Sequence, residues 1–379
     1  MSAKPGAIML ATGGTGGHIF PAVATARALA ARGHRVLVVI DGRGAAHAEK
    51  FASAEVRVIA AGGIAGRGLL ERGHAAVRLG IGFFQARALI ASAKPDAVLG
   101  FGGYAALPPM AAALLSRVPT ALHEQNAILG RANRLIAPHV RLIATSFADT
   151  RGIREADRGK AVLTGNPVRG EIAALAGLPY PQLRAGERFR LLVLGGSQGA
   201  RVFSRVVPGA VQRLPAERRR LLKVDHQARP EDQARVEAAY RGAGVEAEVS
   251  SFFPDVPQRL AACHLVICRS GASSCAELAA IGRPAILVPY PHAIDDHQMA
   301  NAQAIDSAGG AWLIPERMFD EAKLTERLAQ LIAMPETLAS AAKAAAATAR
   351  TSAADRLAAL VERLLPANGN NDALKVAAE

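Results

Sequence analysis

Several things are scarce in this chain of 379 residues. Cysteine occurs three times, at Cys263, Cys268 and Cys275. An odd number without a C-x-x-C spacing excludes a disulfide framework and a cysteine zinc site, and implies reduced, packed thiols in a cytosolic setting. Aromatic residues are only 4% of the chain while half of it is apolar, which suits Ala- and Leu-rich helices layered on a parallel sheet. Long apolar runs are also missing. The first spans about six residues and ends at Gly13, too short for a secretory leader. The most hydrophobic later stretch, 75–93, is broken by Arg78, Gln85 and Arg87 and falls short of the roughly 18 apolar residues of a spanning helix. Membrane contact is therefore expected to be peripheral. Concentrated charge is scarce too: the net +13 comes from dispersed arginines, with Arg218-Arg219-Arg220 the only compact run. That surface favours anionic partners, whether nucleotides, acidic phospholipid or nucleic acid, without choosing among them.

What is present is a rhythm. Short apolar runs at 8–11, 36–40, 56–60, 97–101, 120–122, 142–144 and 161–163, then at 191–194, 221–224, 245–249, 265–268, 285–288 and 311–314, alternate with helix-period segments. Continuous apolar runs mark strands buried on both faces, so the count predicts two doubly wound α/β domains. The expected boundaries are 1–165 and 166–344, with the junction at Gly165-Asn166-Pro167. A terminal helix at about 345–365 is expected to cross back to the first domain, and the polar stretch 366–379 to be a frayed tail.

Two glycine turns stand out, Gly13-Gly14-Thr15-Gly16-Gly17-His18 after the first run and Gly195-Gly196-Ser197-Gln198-Gly199-Ala200 after the eighth. A strand-glycine-helix turn offers free backbone N–H groups and the positive end of a helix to an anion, usually phosphate. Alone, either is equally a plain strand-to-helix connection. Neither is a dinucleotide fingerprint, since Ile19 holds the third glycine position, and neither continues as a P-loop. Open α/β sheets bind ligands at their carboxyl ends, so the two halves are expected to face a common ligand.

A third strand-turn-helix, Leu265–Glu277, offers Arg269 to a diphosphate and Glu277 to a ribose diol. The alternatives are a surface charge and a glutamate favoured by the helix dipole. His292, Asp295, Asp296 and His297 invite a metal, but they share one loop without a partnering cluster. Gln298 and Asn301, three apart on a helix, suit sugar hydroxyls. His123-Glu124-Gln125-Asn126 closes a strand with four polar side chains, more than a structural loop needs.

In order, GGTGGH, GFGGYAALPP, HEQNAILG, GNPVR, GGSQGA, CRSGASSCAEL and VPYPHAIDDHQ resemble the N-acetylglucosaminyltransferases of glycosyltransferase family 28, over about residues 7–365. The resemblance implies a GT-B fold, two Rossmann-like domains with parallel sheets facing a central cleft. It implies UDP-GlcNAc as donor, lipid I as acceptor, lipid II as product, and no cofactor or tightly bound metal. Its donor contacts fall on Thr15, Gly16, Gly17, Asn126, Arg169, Ser197, Phe253, Arg269, Ala272, Ser273, Ser274, Cys275, Ala276, Glu277 and Gln298, and its acceptor side on His18, Tyr104 and Glu124. Phe253 is equally a core residue by its pattern.

The implied reaction is an inverting displacement that needs a base and positive stabilisation of the departing diphosphate. Helix N-termini with Arg169 and Arg269 suit the second task. His18 is the expected base, with Glu124 as runner-up. A lipid acceptor implies the cytoplasmic face of the inner membrane, and Ile64, Leu69, Leu70, Leu79, Ile81, Phe83 and Phe84, interleaved with Arg67, Arg72, Arg78 and Arg87, form the expected anionic-membrane surface. Proteins of the cell-wall synthesis machinery are further expected partners; nucleic acid is not. A UDP-sugar epimerase, a nicotinamide oxidoreductase and a non-catalytic basic binding protein are the competing classes.

Overall fold

The computed structural model describes residues 5–14, 16–62, 69–184, 186–196, 199–350 and 352–366. Each predicted apolar run is a strand. In the first half these are β1 Ala7–Ala11, β2 Arg35–Asp41, β3 Glu55–Ile59, β4 Ala97–Gly100, β5 Thr120–Glu124, β6 Leu142–Thr145 and β7 Ala161–Leu163. In the second they are β8 Phe189–Leu194, β9 Leu222–Gln227, β10 Glu246–Ser250, β11 Leu265–Cys268, β12 Ala285–Leu287 and β13 Ala311–Leu313. The sheet orders are β3-β2-β1-β4-β5-β6-β7 and β10-β9-β8-β11-β12-β13, and every pairing is parallel. Both orders reverse direction beside the first strand of the sheet, between β1 and β4 and between β8 and β11. The glycine turns follow β1 and β8, at these switch points, where open α/β sheets bind ligands.

The first half carries helices α1 Gly16–Ala31, α2 Leu69–Ala93, α3 Leu107–Leu115 and α4 Arg131–Ile136. The second carries α5 Gly170–Ala173, α6 Arg201–Gln212, α7 Ala216–Arg220, α8 Pro230–Gly242, α9 Val256–Ala262, α10 Ala272–Ile281, α11 His297–Ser307, α12 Glu321–Ala333 and α13 Pro335–Thr348, and α14 Ala353–Glu362 ends the chain's regular structure. Strand side chains alternate between faces. Ile8 and Leu10 of β1 therefore join Ile19, Leu29, Leu357 and Val361 in one core, while Met9 and Ala11 join Ala86, Ile90 and Met110 in another. A third core, with Leu191, Val193, Phe203, Val224 and Ile267, fills the second half. In the edge strands β3 and β10 only Ile59 is fully buried, since only one neighbour covers each.

Two compact units result: residues up to 125 with 129–167 and 352 onward, and residues 126–128 with 168–351. The return to the first unit begins at Ser352 rather than near 345. Ala345 lies on α13, which stays with the second unit, where a Cβ at Gly310 would come within 2.8 Å of the Ala345 Cα. After α13, α14 packs on α1, and Arg32 binds Asp355 and Glu362 at 3.2 and 3.0 Å. The tail beyond Pro366 lies outside the described residues.

Candidate functional site

In the first unit the turn after β1 is shaped by Asp41, a buried carboxylate at the end of β2 that the sequence did not flag. Its Oδ1 accepts from the N–H groups of Gly14 and Gly44, both at 2.9 Å, and its Oδ2 lies 3.0 Å from Arg43 Nε. Gly13 sits at φ +151°, and a Cβ there would meet Ala105 and Asp41 at 2.7 Å, so the turn admits no side chain. Gly16 and Gly17 open α1. Thr15 lies outside the described residues.

His18, half-buried in the first turn of α1, places Nδ1 at 2.8 Å from Gln125 Oε1. Gln125 is buried and also meets His123. The His123 imidazole is completely buried, and that burial lowers its pKa to about 4, so it is neutral at physiological pH. Glu124 is buried with its Oε2 accepting from Gly130 N–H and Asn133 Nδ2, both at 2.8 Å. It anchors the start of α4 through that oxygen. Tyr104 is half-buried in the turn after β4, beside Gly102 at φ +80° and Gly103 at φ +70°.

In the second unit, Gly196 and Gly199 take positive φ of 75° and 63°, and Arg229 Nε caps Gly199 O at 3.1 Å. Ser197 lies outside the described residues. The next switch-point loop leads into α10, whose first turn presents the N–H groups of Ala272, Ser273 and Ser274 beyond the first intrahelical bond, Cys275 N–H to Gly271 O. Ser273 Oγ is buried without a hydrogen-bond partner among the described residues, which marks an unmet polar group at a helix N-terminus. Ala272 and Cys275 are buried, so neither offers an exposed side chain. Burial pushes the Cys275 thiol up to about 12 and keeps it unreactive.

Arg169 and Glu277 are bound to each other. Arg169 Nε and Nη2 donate to Oε1 and Oε2 of Glu277 at 2.8 and 3.0 Å. Burial raises the Glu277 carboxyl pKa against the pull of Arg169. The expected separate roles, Arg169 on a diphosphate and Glu277 on a ribose, thus become one preformed pair. Arg269 is likewise committed. Its Nη1 donates to Val288 O and Pro289 O at 3.1 Å, its Nη2 pairs with Glu316, and it lies 5.3 Å from the Phe203 ring. It braces the loop after β12.

The loop before α11 is strained: Asp295 and Asp296 both sit at φ +53°, a region costly for residues with a Cβ. Its histidines and acids form no group able to hold a metal among the described residues. Gln298 Oε1 accepts from Tyr290 N–H at 3.0 Å, leaving its amide N–H groups without a partner among the described residues. Asn301 does not have the predicted sugar-binding role. It is fully buried, accepts from Ala127 N–H at 2.8 Å, and donates to Asn126 Oδ1 and Ser270 O at 3.1 and 3.0 Å. It thereby fixes 126–128, with half-buried Asn126, against the β11 loop. Phe253 is buried under Arg259, 4.1 Å from its ring centroid, so its side chain belongs to the core. Ala276, Ser273 and Ser274 are half-buried on α10. Asn166, at the end of the first unit's strands, is a polar residue whose importance the sequence did not signal: its buried amide has no partner among the described residues.

Sequence profiles for the glycosyltransferase family 28 N-terminal domain and C-terminal domain match residues 8–145 and 190–357. A protein of Paramagnetospirillum magneticum, named UDP-N-acetylglucosamine--N-acetylmuramyl-(pentapeptide) pyrophosphoryl-undecaprenol N-acetylglucosamine transferase, is 51% identical across 97% of this chain and 99% of its own length. The chain belongs to glycosyltransferase family 28. Among solved structures, Acinetobacter baumannii MurG matches with a TM-score of 0.78 and 27% identity, over 95% of this chain and all of that one. The Neisseria meningitidis UDP-GlcNAc 2-epimerase, at 12% identity and a TM-score of 0.65 over 94% of this chain and all of that one, shares the fold. With these neighbours, the two parallel-sheet α/β domains are GT-B-like.

Within this family 28 chain the nicotinamide reading loses further ground, because the carboxylate that would take a ribose after β2, Asp41, is consumed by the glycine turn. The α2 surface also differs in detail from expectation. Val77, Ile81 and Phe84 are 62%, 48% and 71% exposed, at the i, i+4, i+7 spacing of one helix stripe, with Arg78 and Arg87 exposed beside them. Phe83 instead packs on the core, and Leu79 is half-buried. Ile64 and Arg67, and the side chains of Leu69, Leu70 and Arg72, lie outside the described residues. No described helix is long and apolar enough to cross a membrane.

Proposed function

We infer that this chain is an inverting transferase that moves N-acetylglucosamine from UDP-GlcNAc to the C4 hydroxyl of N-acetylmuramyl-pentapeptide in lipid I, releasing UDP and giving lipid II. The observation that carries this is 51% identity along 97% of the chain to an enzyme of that name. Supporting it in the second unit are the α10 N-terminus with its unmet Ser273 hydroxyl, the Arg169–Glu277 pair and Gln298. An anionic leaving group is stabilised by such oriented dipoles and cations.

In the first unit His18 is the general base. It takes the hydroxyl proton as that oxygen bonds to the anomeric carbon, while the C1–O bond to the β-phosphate breaks and its electron pair leaves on UDP. Glu124 supports the loop. The exposed stripe Val77, Ile81 and Phe84, with Arg78 and Arg87, holds the enzyme peripherally on an anionic cytoplasmic leaflet, where the apolar side chains enter the headgroup boundary and the arginines meet phosphates.

Incubation with radiolabelled UDP-GlcNAc and a short-chain lipid I analogue tests the assignment. Label should move to the lipid with one UDP released per transfer, and His18→Ala should lower kcat by about two orders of magnitude. Label released as free sugar without acceptor would instead indicate an epimerase.

A further inference from the structure

We propose that Gln125 is a positioning residue that holds His18 in the tautomer with Nδ1 protonated, so that Nε2 carries the lone pair that removes the acceptor's proton. The proposal rests on His18 being the base. The Gln125 amide lies 3.0 Å from the carbonyl oxygens of both Phe101 and His123 through its Nε2. A carbonyl only accepts hydrogen bonds, so the opposite amide orientation would press Oε1 against two other oxygens. The orientation is therefore fixed, and Oε1 must be the atom 2.8 Å from His18 Nδ1. Oε1 also only accepts. His18 Nδ1 must therefore donate, and in the neutral ring that leaves Nε2 unprotonated.

His123 reinforces the arrangement. Its Nε2 lies 3.0 Å from Gly165 O, which requires an N–H there and makes Nδ1 an acceptor, 2.9 Å from Gln125 Nε2. Because burial keeps this imidazole neutral until about pH 4, its Nδ1 remains an acceptor through the working range. The far edge of His18 is kept clear by Gly103, where a Cβ would stand 3.3 Å from His18 Nε2. Nε2 itself has no partner among the described residues. The ionisable groups on the surrounding elements are His123 behind Gln125, Asp41 tied to Gly14 and Arg43, Glu124 turned to Gly130 and Asn133, and Tyr104 after Gly103.

The test is NMR of the full chain labelled with ¹⁵N-histidine, with the His18 ring nitrogens assigned by their loss in His18→Gln, combined with kinetics. The wild type should show protonated Nδ1 and bare Nε2 on His18. Gln125→Met removes the acceptor at similar volume. It should shift His18 toward the other tautomer and lower kcat about tenfold or more, leaving the donor KM within twofold. Gln125→Glu keeps the acceptor toward His18 but sets its second oxygen against the Phe101 and His123 carbonyls, so it should hold that carboxyl protonated, retain Nδ1–H on His18 and lose stability as pH rises. A protonated Nε2 in the wild type overturns the tautomer assignment while leaving His18 available as the base. Correct tautomers combined with wild-type turnover in Gln125→Met and His18→Gln would show that His18 is not the base, and the proposal fails with that reading.

Discussion

The Arg169–Glu277 pair carries the sharpest quantitative expectation. The two side chains are 28% and 14% exposed and joined by two charge-assisted bonds, so removing one leaves the other's charge largely buried. Breaking a buried pair in this way costs about 3–5 kcal/mol, whereas replacing both partners with apolar residues of similar volume is often close to neutral. Because this pair keeps some solvent contact, Glu277→Leu and Arg169→Met should each lose about 2 kcal/mol, below the range for a fully buried pair. The double variant should lose about 1 kcal/mol, a coupling of roughly 3 kcal/mol, at the upper end for contacting residues. Urea unfolding monitored on the second unit measures all three. Donor binding separates the two roles of the pair. If it also meets the nucleotide sugar, the stable double variant should still show a donor KM raised about tenfold or more, the equivalent of one lost charged hydrogen bond. Additive destabilisation would refute the coupling, and an unchanged KM in the double variant would remove the pair from the donor site.

Acid should weaken both units. His123 and His226 are held neutral by burial, with pKa lowered to about 4 and about 3. The unfolded chain therefore takes up protons first as pH falls through 6.5. Stability is full above pH 6.5 and falls toward pH 4, with His123 alone accounting for about 3 kcal/mol; His123→Gln should flatten that slope in unfolding curves, and an unchanged slope would contradict the assignment. On α2, Val77, Ile81 and Phe84 replaced together by Ser should leave the melting temperature nearly unchanged. Binding to anionic vesicles should weaken by roughly two orders of magnitude, with turnover lost on long-chain but not short-chain acceptor, and loss on both would mean the stripe belongs to the core. Asp296→Gly should raise stability by about 1 kcal/mol by relieving the left-handed backbone; a destabilised glycine variant would show that the Asp296 side chain matters more than the strain.

The fold was legible because the central strands, such as 8–11, 97–100 and 265–268, are buried on both faces and so read as continuous apolar runs. The glycine turns were legible for a similar reason, since Gly13 and Gly196 occupy backbone conformations that only glycine adopts freely. What the chain did not reveal was which polar groups satisfy one another. Asn301 sits at a helical spacing suited to a sugar, yet its hydrogen-bonding capacity goes to Ala127, Asn126 and Ser270, residues that only the fold brings near. Glu277 and Arg169 are 108 residues apart in sequence, and nothing local announces their pairing. Of the four polar residues that close β5, Asn126 belongs to the second unit and the other three form a buried network in the first. Polarity signalled that the segment mattered, but not how. The division of α2 between Phe83 inside and Phe84 outside depended on where α3 packs, which helical periodicity alone leaves open.

The proposed reaction is inverting transfer to one hydroxyl of a lipid-linked muramoyl sugar. NMR of the disaccharide product made from UDP-GlcNAc and a short-chain lipid I analogue reads both the linkage position and the anomeric configuration. A single product is expected, in which N-acetylglucosamine is β-linked to the C4 oxygen, its configuration inverted from the α-linked donor. An α-linked product, attachment at another oxygen, or a free epimerised sugar with the acceptor untouched would contradict it.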